Sequence, residues 1–289
     1  MRLRSFAAMA LMLSVALLSG QALTAQPSAG KRDDSAAEKL GFKLSLQCWT
    51  YNGLSLFETI DKAAGLGIKY IEAFPGQRVK PGSNEKFTQD ISDGLLKEVQ
   101  KKLADAGGLR IVAYGVFMVS EQEPEARKTF EFLKKLGAEV LVTETYPSAV
   151  DDKLCTEFNI KMALHNHPRS WPPEKVLAAC KDRCKLIGSC SDTGHWMRAN
   201  HVPVDTLKLL EGRVLHLHFK DLNGSGDGVY DVPWGTGKGN VKGMLEELKR
   251  QGYKGYLSIE YEHGSLQDLA KALPQCVAFF DKTCAELAK

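Results

Sequence analysis

Aromatic side chains make up only 8% of the 289 residues, and after position 18 no long uncharged apolar run recurs. The second absence excludes a polytopic membrane protein, because each helical span needs about 20 apolar residues. Nor is there a surplus of one charge sign. The 38 Lys and Arg oppose 35 Asp and Glu for a formal +3, of which Arg2 and Arg4 supply two. That balance offers no basic face for nucleic acid or an anionic membrane. No glycine-rich nucleotide loop follows the first strand-like segment, where Cys48 is followed by Trp-Thr-Tyr-Asn-Gly-Leu-Ser. The seven cysteines match no zinc-finger spacing and no Cys-His signature, and an odd count cannot pair fully within one chain. Scattered buried thiols are expected, although an oxidising space would permit a bridge such as Cys276 to Cys284. What is present, 44% hydrophobic and 25% charged residues, suffices for a full core and excludes a disordered chain or a disulfide-dense mini-protein.

The chain opens Met-Arg-Leu-Arg, runs apolar over 6–18 and passes into small and polar residues. This pattern predicts a cleaved signal peptide over 1–25, and hence a periplasmic or secreted protein that leaves the membrane after cleavage. With no cysteine next to the run, a lipoprotein is not expected. Residues 26–40, with Pro27, Gly30 and Lys31-Arg32-Asp33-Asp34, read as a polar linker.

From 41 to 289, short β-branched runs alternate with segments of helical period. The spacing predicts strands over 43–49, 68–73, 110–116, 139–144, 161–166, 186–192, 214–219 and 256–260. Helices are expected over 54–64, 95–106, 124–136, 175–182, 204–210, 244–251 and from 266 into the tail, with 151–158 as the fourth connection. Glycines such as Gly137 and Gly252 follow helical segments, where the left-handed cap residue belongs. Eight parallel strands with crossover helices in about 250 residues define a single (β/α)8 TIM barrel, its strands buried on both faces.

Active sites of such barrels lie at the carboxyl ends of the strands, so the last residues of each run matter most. Here they are Glu72, Glu144, His165-Asn166-His167, Asp192 with His195 close behind, His216 and His218 with Lys220-Asp221, and Glu260-Tyr261-Glu262-His263. Any one of them is ordinarily a charged side chain leaving a strand; together they point to a site. Alternation puts His216 and His218 on one face, with His218 nearer the mouth, so His216 reads as a satisfied core histidine. Trp49, Trp196 and Trp234 offer faces on which sugar rings stack, and Arg198 a group to hold a polar substituent. The glycine-rich loops around 224–239 read as a lid walled by Trp234, or alternatively as a phosphate cradle with Lys238.

Converging carboxylates repel and raise one another's pKa unless a cation lies between them. Glu144, Asp192, His218 and Glu260 form the expected ligand set for one divalent metal. Oxygen-rich with one imidazole, it suits Mn²⁺, Mg²⁺ or Co²⁺ and tolerates Zn²⁺.

The strings Ser191-Asp192-Thr193-Gly194-His195-Trp196, His216-Leu217-His218-Phe219-Lys220-Asp221 and Ile259-Glu260-Tyr261-Glu262 resemble those of the xylose isomerase-like (AP endonuclease family 2) superfamily. The resemblance runs from about Lys43 to the C-terminus. It implies that Asp192, His218 and Glu260 bind a metal and that His195 contacts substrate. Ketose 3-epimerase-like members carry a Glu near the end of strand five, where this chain reads Ala163-Leu164-His165-Asn166-His167; the missing carboxylate is assigned to Glu144. The strand-five histidines resemble those of inosose dehydratase-like members and of secreted 3-keto-sugar lyases and hydratases. Endonuclease IV-type repair, with three metals and many more histidines, does not suit a near-neutral chain with one metal set.

The expectation is a metal-dependent sugar isomerase or epimerase acting on a small carbohydrate through an enolate or enediolate. Glu144, Glu260, His165, His167, His195 and Lys220 are its catalytic candidates, and Trp49, Glu72, Asn166, Trp196, Arg198 and Trp234 its substrate contacts. The alternative is a lyase or hydratase for a keto-sugar such as a 3-keto-glycoside or its glycal, and a further one a non-catalytic periplasmic sugar-binding protein. Oligomeric state is not legible.

Overall fold

In the computed structural model the described residues are 32–289. The expected signal peptide and the first part of the expected linker lie outside them. Eight parallel strands close a barrel: β1 Phe42–Gln47, β2 Tyr70–Ala73, β3 Arg110–Tyr114, β4 Val140–Thr143, β5 Lys161–His165, β6 Ile187–Asp192, β7 Val214–Phe219 and β8 Gly255–Ile259. Each pairs with its sequence neighbours, and β8 returns to β1 in register from Phe42↔Gly255 to Leu46↔Ile259. The eight expected strands are all present. Their ends recede by one or two residues where the expectation ran on into the loops.

Crossover helices cover the outside: α2 Leu56–Gly65, α3 Asp93–Asp105, α4 Glu123–Leu136, α5 Ala149–Phe158, α6 Pro173–Cys180, α8 Pro203–Leu209, α9 Val241–Arg250 and α10 Leu266–Leu287. Between β6 and α8 lies a short α7, Thr193–Arg198, which is not among the helices expected from the sequence. A two-residue ribbon, Gln77–Arg78 with Lys86–Phe87, extends the loop after β2. Ser55, Ser148 and Ser265 each cap a helix reciprocally with a carboxylate three residues on, which satisfies backbone donors the helix cannot. Gly137 closes α4 at φ +76°, its N–H bonded to the Leu133 carbonyl. Strands such as Val140–Thr143 are buried along their whole length, as a helix-coated parallel sheet requires.

The linker expected up to residue 40 needs correction. Ser35–Leu40 form a helix, α1, with Ala37 buried, and Arg32 grips Asp281 of α10 through Nε and a terminal nitrogen at 2.8–2.9 Å. The polar composition there is that of a strap tied by ion pairs. Among the described residues no helix is long and apolar enough to cross a membrane.

Candidate active site

The site is assembled across the barrel interior. Glu72 on β2 and the two histidines of β7 sit three places apart around the ring, so they can meet only through the middle. Glu72 Oε2 lies 2.6 Å from His216 Nε2 and its Oε1 2.8 Å from His218 Nε2. All three side chains are fully buried. Burial raises the Glu72 pKa, but the imidazoles of His218 and His216 outweigh it and hold the carboxyl down at about 2. Ser258 completes this floor with a 3.2 Å bond to Glu72. His216 is therefore a core histidine, as expected, held through Nε2 while its Nδ1 is buried without a partner. Glu72, expected to touch substrate, instead orients His218 from beneath.

With Nε2 engaged by Glu72, His218 turns Nδ1 upward, 3.2 Å from Glu260 Oε2 and 4.0 Å from Asp192 Oδ2. His165 approaches from β5, its Nε2 3.5 Å from the same Asp192 oxygen. His165, Asp192, His218 and Glu260 each direct one ligand atom into a space where all lie within 4.8 Å of one another. Two of those atoms, Asp192 Oδ2 and His218 Nδ1, are buried without a hydrogen-bond partner. Unpaired buried polar atoms are costly, and a cation on these four residues would satisfy both. The donor set therefore fits a divalent metal. Lys220 Nζ lies 2.9, 2.8 and 2.6 Å from Asp192, Glu260 and Glu262. One ammonium among three carboxylates still leaves charge for a divalent ion to balance.

Glu144 is not a member of this group. It lies at the top of β5, hydrogen-bonded to His165 Nδ1 at 3.2 Å and to His167 Nδ1, so His165 takes the ligand place assigned to it. The correction has a physical logic: a histidine that binds metal through one nitrogen commonly donates the other N–H to a carboxylate. His165 does so to Glu144 as His218 does to Glu72. Burial acts to raise Glu144, yet its bonds to His165 and His167 hold it at about 2.

Above the cluster opens a cavity of about 370 Å³, a size usual for small ligands. One wall is apolar, with Trp49, Phe74, Pro75 and Val116, and the other carries His165, His167, His195, Glu260 and Glu262. Trp49, 43% exposed and set edge-on to Phe74, lines this cavity. His195 starts α7, where its N–H caps onto Asp192 Oδ1 at 2.7 Å. Its Nδ1 faces Arg198 at 3.2 Å; since a guanidinium only donates, Nδ1 accepts and the proton sits on Nε2. Burial lowers His195 to about 3, Asp192 only partly opposing it, so this imidazole is neutral.

Several expected contacts are displaced. Trp196 and Trp234 are each only 2% exposed and belong to the core; Trp234 packs edge-on against Phe219 and walls no lid. Asn166 is buried and clamps the Asp192 backbone through paired bonds of 3.0 and 2.9 Å, placing a ligand where a substrate contact was expected. Arg198 bonds Asp231 at 3.2 Å and Glu262 at 3.4 Å outside the main cavity. Lys220 is no base: burial would lower its pKa, but Asp192, Glu260 and Glu262 hold it well above the usual lysine value. Neither reading of the glycine-rich loop survives, because the N–H groups of Gly235, Gly237 and Gly239 all point at Asp221, 2.9 Å away. Gln47 and Phe74 were missed, and Glu262, noted at the end of strand eight, was given no role. Gln47 ends β1 and Glu262 stands two residues beyond Glu260, so the strand-end rule reaches both; apolar Phe74 gave no signal.

The barrel and this polar mouth define the class, and the sequence agrees: residues 60–283 match the family described as xylose isomerase-like TIM barrel, and the chain belongs to it. Within the family, it is similar to the inosose dehydratase of Mesomycoplasma hyopneumoniae strain J, with 26% identity over 241 residues, covering 65% of this chain and 77% of that one. A solved structure from Parabacteroides distasonis ATCC 8503 is 31% identical with a TM-score of 0.67, covering 84% of this chain and 99% of the other. The protein MJ1311 of Methanocaldococcus jannaschii is 30% identical over 129 residues, and the alignment spans only 42% of either chain.

Proposed function

We propose that the protein is a divalent-metal-dependent carbon–oxygen lyase that removes water or an alkoxide from a keto-sugar, or adds water in reverse. The observation that carries this is the identity of the groups facing the cavity. An epimerase that shuttles a proton between Glu144 and Glu260 would need both on the cavity wall, but Glu144 is not among its lining residues, and three imidazoles, His165, His167 and His195, stand there beside Glu260 and Glu262. The similarity to a protein named inosose dehydratase supports the same reading. It moves the lyase alternative ahead of isomerisation.

When bound by His165, Asp192, His218 and Glu260, the cation (Mn²⁺, Mg²⁺, Co²⁺ or Zn²⁺) would polarise a substrate carbonyl and hold the negative charge that grows as its α-proton leaves. Trp49 and Phe74 receive the apolar face of the sugar ring. Glu262, on the cavity wall but outside the ligand group, is placed to take the α-proton. His195 donates from Nε2 to a ring hydroxyl. His167, half exposed and with its pKa raised by its bond to Glu144, gives a proton to the leaving oxygen as the enolate collapses.

Replacing His167 separates this from epimerisation. In His167→Gln, release of the aglycone alcohol from a 3-keto-glycoside should fall about 10²-fold or more, while α-proton exchange with deuterated solvent persists. Parallel loss of both would place His167 in proton abstraction and defeat the assignment.

A further inference from the structure

A second cavity of about 310 Å³ lies beside the first, bordered by Pro168, Arg169, Arg198, Asn200, His201 and Asp227. Two features place it next to the proposed active site. His167 lines the first cavity and directly precedes Pro168 and Arg169. Arg198 reaches 3.2 Å from Nδ1 of His195 and 3.4 Å from Glu262, so the partition is only one side chain thick. The far wall is fixed, since the loop before Asp227 is tied to the end of α7 by a 3.0 Å bond from Gly226 N–H to the Met197 carbonyl.

The chemistry of this space differs from that of the first. Arg198 is partly neutralised by Asp231 and Glu262. Arg169 has no carboxylate within ion-pair distance among the described residues, and its exposed guanidinium keeps its donors free. With Arg198 already paired to Asp231 and Glu262, the uncommitted guanidinium of the lining is that of Arg169, with Asp227 on the same cavity. A planar guanidinium fork matches a carboxylate edge-on, and a single uncommitted guanidinium suits a monoanion better than a phosphate near −2.

We propose that this cavity is a subsite for a carboxylate borne by the sugar, so that the substrate is an acidic sugar; the proposal rests on the lyase reading of the adjoining cavity and names its substrate class. The ring stands over the metal cluster while its carboxylate crosses the His195 partition to Arg169 and Arg198. The subsite can be tested without turnover, by calorimetric titration of the metal-loaded wild type and Arg169→Gln with D-glucuronate, D-glucose and D-glucose 6-phosphate. Arg169 is exposed and outside the proposed machinery, so the variant should fold, as far-UV circular dichroism would verify. Glucuronate should bind the wild type at least tenfold more tightly than glucose, and Arg169→Gln should lose most of that preference while its affinity for glucose stays within about twofold. Equal affinities for glucuronate and glucose in the wild type, a preference untouched by Arg169→Gln, or tighter binding of glucose 6-phosphate would each overturn the proposal. Absence of elimination from any keto-sugar, with the glucuronate preference intact, would instead defeat the lyase reading alone.

Discussion

Asp192 shows how one side chain can organise the site. Its Oδ1 caps α7 through the His195 N–H, its backbone is clamped by Asn166, and its Oδ2 points into the buried cluster, 2.9 Å from the Lys220 ammonium. Replacing it with Asn keeps the cap but removes the charge, so Asp192→Asn should lose at least tenfold in metal affinity, as should His218→Gln, with circular dichroism unchanged. Full metal content in both variants by elemental analysis would contradict the ligand assignment. Glu144→Gln should weaken binding less, because it alters only the group behind His165. At this scale the sequence displayed residue types well and partners poorly. Asp192, His218 and Glu260 were legible because each ends a strand, whereas the exchange of Glu144 for His165 depended on side-chain direction at the top of β5. Nothing in the string His165-Asn166-His167 tells which imidazole turns inward.

Elements were easier to read than their endings. Each strand was visible as a short apolar or β-branched run because its two buried faces demand apolar residues, but the loops at the mouth are held by contacts distant in sequence. The loop over 233–239 is the sharpest case: its glycines suggested an anion cradle, and the anion proved to be the protein's own Asp221. Asp221 is 1% exposed, and burial raises its pKa against the amide bonds that lower it. Asp221→Ala would remove the acceptor of three N–H groups, of which that of Gly239 is buried, and a loss of roughly 2 kcal/mol is expected in urea unfolding; a change below about 0.5 kcal/mol would show that the loop is held by other means. A close approach constrains α7 similarly. A Cβ on Gly194 would stand 2.6 Å from Lys220 Cδ, so Gly194→Ala should displace the ammonium from the three carboxylates and weaken catalysis more than stability.

For the whole molecule, closure of the barrel brings chemistry from β2, β5, β6, β7 and β8 to one small volume, an arrangement that parallel strands with short crossovers produce without special devices. The strap formed by Arg32 and α1 against α10 lies where the chain enters β1, at the opposite end from the site. Asp281→Ala should therefore lower the melting temperature by a few degrees with unchanged kcat; a fall in kcat at a temperature where the fold is intact would reveal coupling between the two ends. The central claim, that this barrel breaks a carbon–oxygen bond and does not invert a carbinol centre, is tested most directly by following a metal-loaded reaction on a 3-keto-glycoside in D₂O by NMR. The account predicts deuterium at the α-carbon of recovered substrate together with the olefinic proton of the elimination product. Formation of a C2 epimer with the glycosidic bond intact, and no olefinic signal, would contradict it.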